Sequence, residues 1–288
     1  MLEKSYLRRH KFISKLVDLN LPGLNRFAVF LSKLLIPKAP GEAFVFETIH
    51  GIKLIIDPSK DKGIEKCLYE FGSYEKGIIN IIKKNLKTGQ IFVDIGANIG
   101  LMSCYASNIV GENGKVLAFE ANSKTSKILE KNCVLNNSKN VEIFTLGLGE
   151  KKSSALFYEN WDVNRGGASF LKQSDEIGTE VEIDTIDNLQ SEQKIDMVKI
   201  DVEGFELNVL KGGMEVFKKN HPIFIIEVSS NREKTIGVAP SEIYHFIHSI
   251  GNYKIFKLAG TKERISKLIE IKTENDLPNH DNLICFPS

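Results

Sequence analysis

The chain predicts an α/β protein: a mostly parallel, doubly wound sheet with an antiparallel edge strand, preceded by a helix and β-hairpin extension. Three observations carry this expectation. Apolar runs at 91–93, 115–119, 141–146, 197–200 and 223–226 alternate with helical stretches, as strands buried on both faces of a parallel sheet do. The run at 91–95 passes directly through a turn holding Gly96 and Gly100 into a helix-like stretch at 101–110, the junction that opens a nucleotide-binding sheet. Several of the runs also end on acids, Glu120, Asp201 and Glu227 among them, and parallel strands deliver their carboxyl ends to one rim.

At 288 residues and 42% hydrophobic content, the chain is long enough to bury a sizeable core as one enlarged domain plus an extension. The expected boundary puts the extension at 1–75 and the sheet domain at 76–288. A net charge of +1 gives no global attraction to nucleic acid. Cys67, Cys104, Cys133 and Cys285 form no C-x-x-C pair, so zinc is not expected and the thiols read as reduced, in a cytoplasmic protein. No secretory leader is visible, and no segment reaches the roughly eighteen apolar residues of a membrane span.

Taken in order, residues 1–40 are basic, with Lys4, Arg8, Arg9, Lys11, Lys15, Arg26, Lys33 and Lys38 against Glu3 and Asp18. Residues 24–36 form an amphipathic helix broken at Pro37 and Pro40. Such a helix packs on its own domain or on a second copy, and the alternative is peripheral contact with an anionic membrane. Strands at 43–49 and 52–57 flank His50-Gly51, a hairpin signal that makes His50 a turn residue. Tyr74 and Glu75 then open a helix carrying Ile78, Ile79, Ile81, Ile82 and Leu86 and closed around Gly89. There they either cap the helix or close over a ligand.

The turn after the first parallel strand reads Asp94-x-Gly96-x-Asn98-x-Gly100, which departs from the dinucleotide pattern G-x-G-x-x-G. A carboxylate before the first glycine repels a pyrophosphate and suits an ammonium. S-adenosylmethionine carries both an ammonium and a sulfonium. Asp94, Gly96, Asn98 and Gly100 are therefore expected at its methionine portion. Glu120, with Ala121 beside it, falls at the spacing of a ribose-binding acid; its alternative is a helix-start acid. Ser123 is the expected cap of a helix at 123–135. Gly147 and Leu148, past a strand at 141–146, would lie against an adenine or form a plain turn. Short strands at 155–158, 168–171 and 180–183 surround a loop at 160–167 with Trp161 and Arg165, read as an acceptor-facing lid or a surface hairpin.

The stretch 196–204 delivers Asp201 and Glu203 at the end of a buried strand, and 223–226 delivers Glu227. Asp94, Glu120, Asp201, Glu203 and Glu227 should face one crevice, and clustered carboxylates are costly unless they bind something positive or share protons. Asp201, Glu203 and Glu227 are the expected catalytic set, with Asp201 also expected at the cofactor, as are Tyr74 and Glu75. They would act as a general base, with coordination of a divalent cation by the same three as the alternative. A helix at 240–249 and strands at 253–258 and 282–286 complete the sheet. His245 and His248 read as surface residues.

With these motifs in place, the chain resembles the FkbM-type S-adenosylmethionine-dependent methyltransferases. The likeness rests on GSYE at 72–75, VDIGANIG at 93–100, AFEAN at 118–122, TIDNL at 185–189, VKIDVEG at 198–204, IIE at 225–227 and NLICF at 282–286. It implies a Rossmann-like methyltransferase fold over 76–288 and an acceptor hydroxyl on a sugar, glycolipid or polyketide-like molecule. The rival readings are a nicotinamide-dependent oxidoreductase, opposed by Asp94 and Asn98, and a non-catalytic binding protein of the same fold.

Overall fold

The computed structural model describes residues 4–19, 24–160, 164–169, 178–190, 192–229 and 238–288. Its frame is an eight-stranded sheet. The central strand β3 (Ile91–Ile95) has β4 (Lys115–Phe119) and then β5 (Val141–Phe144) on one side. On its other side lie β10 (Met197–Ile200) and β11 (Ile223–Ser229), and all of these pairs are parallel. The chain winds outward from β3 to β5 and returns to β10, so the order reverses between β3 and β10. Ligands of open α/β sheets bind outside the carboxyl ends of strands at such a switch point.

Strand period explains both the core and an exception to it. Successive side chains alternate between faces, so Val93, Ile95, Val198 and Ile200 enter one hydrophobic cluster, while Phe92 and Met197 enter the other. Asp94 and Lys199 continue the Phe92 and Met197 rows, and they are register partners across β3 and β10. An acid and a base thus occupy the last positions of an otherwise apolar face.

Beyond β11 the sheet departs from the expected single antiparallel edge. Strand β14 (His280–Pro287) runs antiparallel between β11 and β12 (Tyr253–Leu258), and the short β13 (Leu268–Glu270) forms the edge. The 283–286 run is apolar because β14 is an interior strand, buried from Asn282 to Cys285.

Helix α4 (Lys76–Asn85), α5 (Leu101–Val110) and α6 (Ser123–Leu135) cover the face that carries Asp94. Asn122 rather than Ser123 caps α6, because its side chain accepts from the Lys124 and Thr125 amides. The amino-terminal region holds α1 (Lys4–Asp18), α2 (Leu24–Leu35), the hairpin β1 (Phe44–Glu47)–β2 (Lys53–Ile56) and α3 (Ile64–Phe71). Tyr6, Ile13, Ala28 and Phe46 from this region share one hydrophobic cluster with Phe92 and Val116.

A second sheet joins β6 (Gly147–Leu148), β9 (Thr179–Asp184), β7 (Ser153–Asn160) and β8 (Asn164–Ser169). Trp161, placed above in a lid, lies outside the described residues; the stretch from Asn164 is strand. Cys104, Cys133 and Cys285 are buried and Cys67 is partly buried, all as free thiols. Among the described residues, no helix is long and apolar enough to cross a membrane.

Candidate active site

The turn after β3 is locked to its neighbours by backbone. Gly96 and Ala97 donate their amides to the Phe119 carbonyl at 2.9 and 3.0 Å. Gly96 has φ +80°, and a Cβ there would lie 1.9 Å from the Asp201 carbonyl oxygen. Only glycine allows the ends of β3 and β10 to approach this closely. Gly100, expected at the ligand, lines neither adjoining cavity. Its φ of +88° starts α5, and a Cβ would strike Leu129 at 2.2 Å, so its role is packing against α6.

Cavities flank this turn on both sides. The larger, ≈260 Å³, is lined by Tyr74, Glu75, Asp94, Met102, Lys199 and Glu227 among others. The smaller, ≈60 Å³, is lined by Glu120, Ala121, Gly147, Leu148 and Phe157 with the end of β4. Gly96, Asn98, Asp201 and Glu203 line both.

On the smaller side, Glu120 is fixed by backbone donors. Its Oε2 accepts from the Asn98 amide and its Oε1 from the Asn122 amide, each at 2.9 Å. Burial pushes its carboxyl up to about 7 against the pull of those two amides. It does not cap α6, since Asn122 does that.

On the larger side, Asp94 Oδ2 accepts from the Ser103 hydroxyl at 2.6 Å. Asp94 Oδ1 is buried with no hydrogen-bond partner among the described residues, and burial raises the carboxyl's pKa. Next to it Lys199, 4% exposed, donates to Asp201 Oδ2 at 3.0 Å. Burial opposes the lysine's charge, but Asp201, Glu75 and Asp94 outweigh it.

A second lysine arrives from far along the chain. Lys262, in the connection 259–267 between β12 and β13, places its ammonium 2.6 Å from Glu75 Oε1 and 2.6 Å from Glu227 Oε1. It also lies 5.6 Å over the Tyr74 ring. Two contacts seat this segment: the Gly77 amide donates to the Lys262 carbonyl, and the Glu75 amide donates to Glu263 Oε2.

Asp201 and Glu227 are hydrogen-bonded to each other. Burial works to raise both, but Lys199 and Lys262 hold Asp201 well below the usual carboxylate range. Glu227 moves the other way, raised by burial and then by the Asp201 charge. Neighbouring buried carboxylates separate in this manner because both cannot ionise cheaply.

The carboxylate cluster therefore carries its own cations, which corrects the expectation that acids on this rim require a cationic ligand to offset them. The set able to surround a cation changes as well. Glu75, Asp201 and Glu227 bring oxygens within 4.8 Å of one another, with Glu75 in the place expected for Glu203. Glu203 sits past the strand in a left-handed turn at φ +53°, where it borders both cavities.

Sequence reasoning missed Lys199, Lys262, Glu263 and Ser103. Lys199 left a signal, being a lysine inside a strand buried at every position and two residues from an acid. Lys262 left none, since 187 positions separate it from Glu75 in the numbering.

A family model for the methyltransferase FkbM domain matches residues 94–254. Methyltransferase 1 of Beauveria bassiana (strain ARSEF 2860) is 26% identical over 142 residues, 42% of this chain and 57% of that protein. Methyltransferase sdnD of Sordaria araneosa is 28% identical over 162 residues, 44% of this chain and 62% of that protein. The chain thus spans 57% and 62% of the length of these curated relatives. Among solved structures, methyltransferase FkbM from Methylobacillus flagellatus KT aligns over 97% of this chain and 58% of its own, at 12% identity and a TM-score of 0.47.

Proposed function

The chain belongs to the methyltransferase FkbM domain family, whose model covers more than half of it, and on that premise we propose that it is an S-adenosylmethionine-dependent O-methyltransferase. The acceptor is a hydroxyl on a sugar, glycolipid or polyketide-like small molecule. One observation carries this reading: Asp201, held ionised by buried Lys199 and partly buried Lys262, borders both cavities at the switch point of the sheet.

The residues present suit the cofactor. Asp94 Oδ1 is a buried acceptor without a partner beside the larger cavity, matching an ammonium donor. Glu120 keeps lone pairs for ribose hydroxyls after its two backbone bonds, and Ala121, Gly147 and Leu148 line the cavity around it. When bound, S-adenosylmethionine supplies an electrophilic methyl group on a sulfonium.

The work left to the chain is positioning and one proton. Positioning of reactants accounts for much of the barrier lowering in such displacements. Asp201, kept ionised by Lys199 and Lys262, accepts a hydrogen bond from the acceptor hydroxyl and orients its lone pair. The hydroxyl would grow more acidic as its oxygen takes the methyl group from sulfur, and its proton would pass to Asp201. Glu227, raised by burial and by the Asp201 charge, is hydrogen-bonded to Asp201 and would steady its carboxylate. Glu203 and Tyr74 border the space where the acceptor would sit.

Thermal shift separates this reading from its rivals, because a ligand that binds only the folded state raises its stability. S-adenosylhomocysteine should raise the melting temperature, and NAD should not. A shift with NAD alone would make the protein an oxidoreductase. Labelled S-adenosylmethionine offered with a panel of hydroxyl acceptors then tests transfer, and cofactor binding without transfer to any of them would favour a binding role.

A further inference from the structure

We propose that α1 and α2 dock the protein onto the surface of an anionic lipid bilayer. On α2, Phe27, Phe30 and Leu34 recur at the spacing of one helical face, and they are 48%, 60% and 68% exposed. Phe12 of α1 is 53% exposed. The opposite faces are committed to the protein. Ala28, Ser32 and Ile36 are buried, as are Tyr6, His10 and Ile13. Lys76 also ties α1 down, donating to the Ser14 hydroxyl at 2.7 Å and pairing with Asp18 at 2.6 Å. The outward stripe is therefore presented by a fixed support.

Charge identifies the occupant. Within residues 4–40, every exposed ionisable side chain among the described residues is cationic, including Arg8, Arg9, Lys11, Lys15, Arg26 and Lys33. The segment's one described acid, Asp18, is spent on Lys76. In a chain of net charge +1, the two helices that bear the apolar stripe thus carry an excess of exposed cations, the composition of helices that lie in an anionic interface. A second copy fits poorly, since a two-fold interface sets each patch against itself and would oppose these cations to one another. A nucleic acid would leave the phenylalanines and leucine unused.

A cavity of ≈210 Å³ adjoins the same support, lined by Val17 and Val29 of the helical pair and by Lys76 and Glu263 beside the candidate active site. Docking would bring its rim to the lipid surface, where an amphiphilic acceptor would be encountered. This last step rests on the methyltransferase reading; the docking does not.

The test is co-sedimentation of the full chain with phosphatidylcholine vesicles with and without phosphatidylglycerol, alongside sedimentation velocity without lipid. The protein should pellet with the anionic vesicles, less so as salt rises. Phe30→Ser with Leu34→Ser, and separately Arg26→Glu with Lys33→Glu, should each lower the bound fraction at least about fivefold. Circular dichroism and S-adenosylhomocysteine binding should stay unchanged in both variants. Absence of pelleting, equal pelleting on neutral vesicles, or a lipid-free dimer that the serine variant dissociates would each overturn the proposal.

Discussion

The two cavities beside the Gly96 turn hold their acids by opposite means. Glu120 on the smaller side is fixed by two backbone amides from residues close in sequence, Asn98 and Asn122. Glu75, Asp201 and Glu227 on the larger side are held by lysines, one of which, Lys262, comes from a remote segment. The family match at 94–254 contains the whole of the first arrangement. It leaves Tyr74, Glu75, Lys262 and Glu263 of the second outside. Under the proposed function, Glu120 on the locally built side would bind the cofactor's ribose and Asp94 its ammonium, while the lysine-held acids assembled from distant parts would handle the acceptor.

The sharpest way to break that division is Asp201→Asn. Turnover should fall by ~10²–10⁴, the usual worth of a positioned proton acceptor, while titration calorimetry with S-adenosylhomocysteine shows affinity almost unchanged. Loss of binding together with turnover would move Asp201 to the cofactor half.

Glu120→Gln is the complementary change. Affinity for S-adenosylhomocysteine should drop by ~10–100-fold, the range for hydrogen bonds to a charged group, with turnover at saturating cofactor largely kept. Because burial lifts the Glu120 carboxyl to about 7, affinity should climb between pH 6 and 8 in the native protein and stay flat in the variant. The sign for folding is the reverse. The folded state holds the proton that the unfolded chain releases above its ordinary value of 4.5, so this group's contribution to stability declines as pH rises from there to about 7.

Lys262→Met tests the other side through stability. Removing one partner of a buried ion pair leaves charge uncompensated, at a cost of about 3 kcal/mol, measurable by denaturant unfolding. The loss should be greater at pH 8 than at pH 6, since the raised Glu227 carboxyl can take up a proton at the lower pH. In the native protein the lysine's pKa is raised by Glu75 and Glu227 in spite of burial. Its stabilisation is therefore complete below the ordinary lysine value and fades only in strong alkali. Equal losses at both pH values would mean that Glu227 is already ionised beside Asp201.

The smallest effect belongs to Ser103→Ala. It removes one neutral donor from Asp94 and should weaken cofactor affinity by about threefold to tenfold, with the fold intact by circular dichroism.

The same contrast explains what could be read from the chain. Period and strand-end acids announced the sheet, because a strand buried on both faces has to be apolar for its whole length. The Gly96 turn was legible for a local reason, since its glycine answers to a backbone contact with the next parallel strand. Glu120 was legible because its donors lie nearby. The antiparallel position of β14 was not, because pairing partners within a sheet are chosen by global packing rather than by the strand's own pattern. Lys262 was invisible for a similar reason: its partners are fixed by the β12–β13 connection. The charge balance there was misjudged, since acids along the rim were counted without the lysines that tertiary structure brings to them.

The place of β14 has a consequence for assembly. Among the described strands, β12 and β13 join the large sheet through β14 alone, and the segment bearing Lys262 hangs from that pair. A chain emerging from its amino-terminal end can build the parallel half early, including the Glu120 side. Lys262, the counter-charge for Glu75 and Glu227, is carried by a segment whose attachment to the sheet runs through residues 280–287. A chain without that strand would lack the sheet support of the Lys262 segment while keeping Lys199 beside Asp201, and pairings of such sequence separation form late.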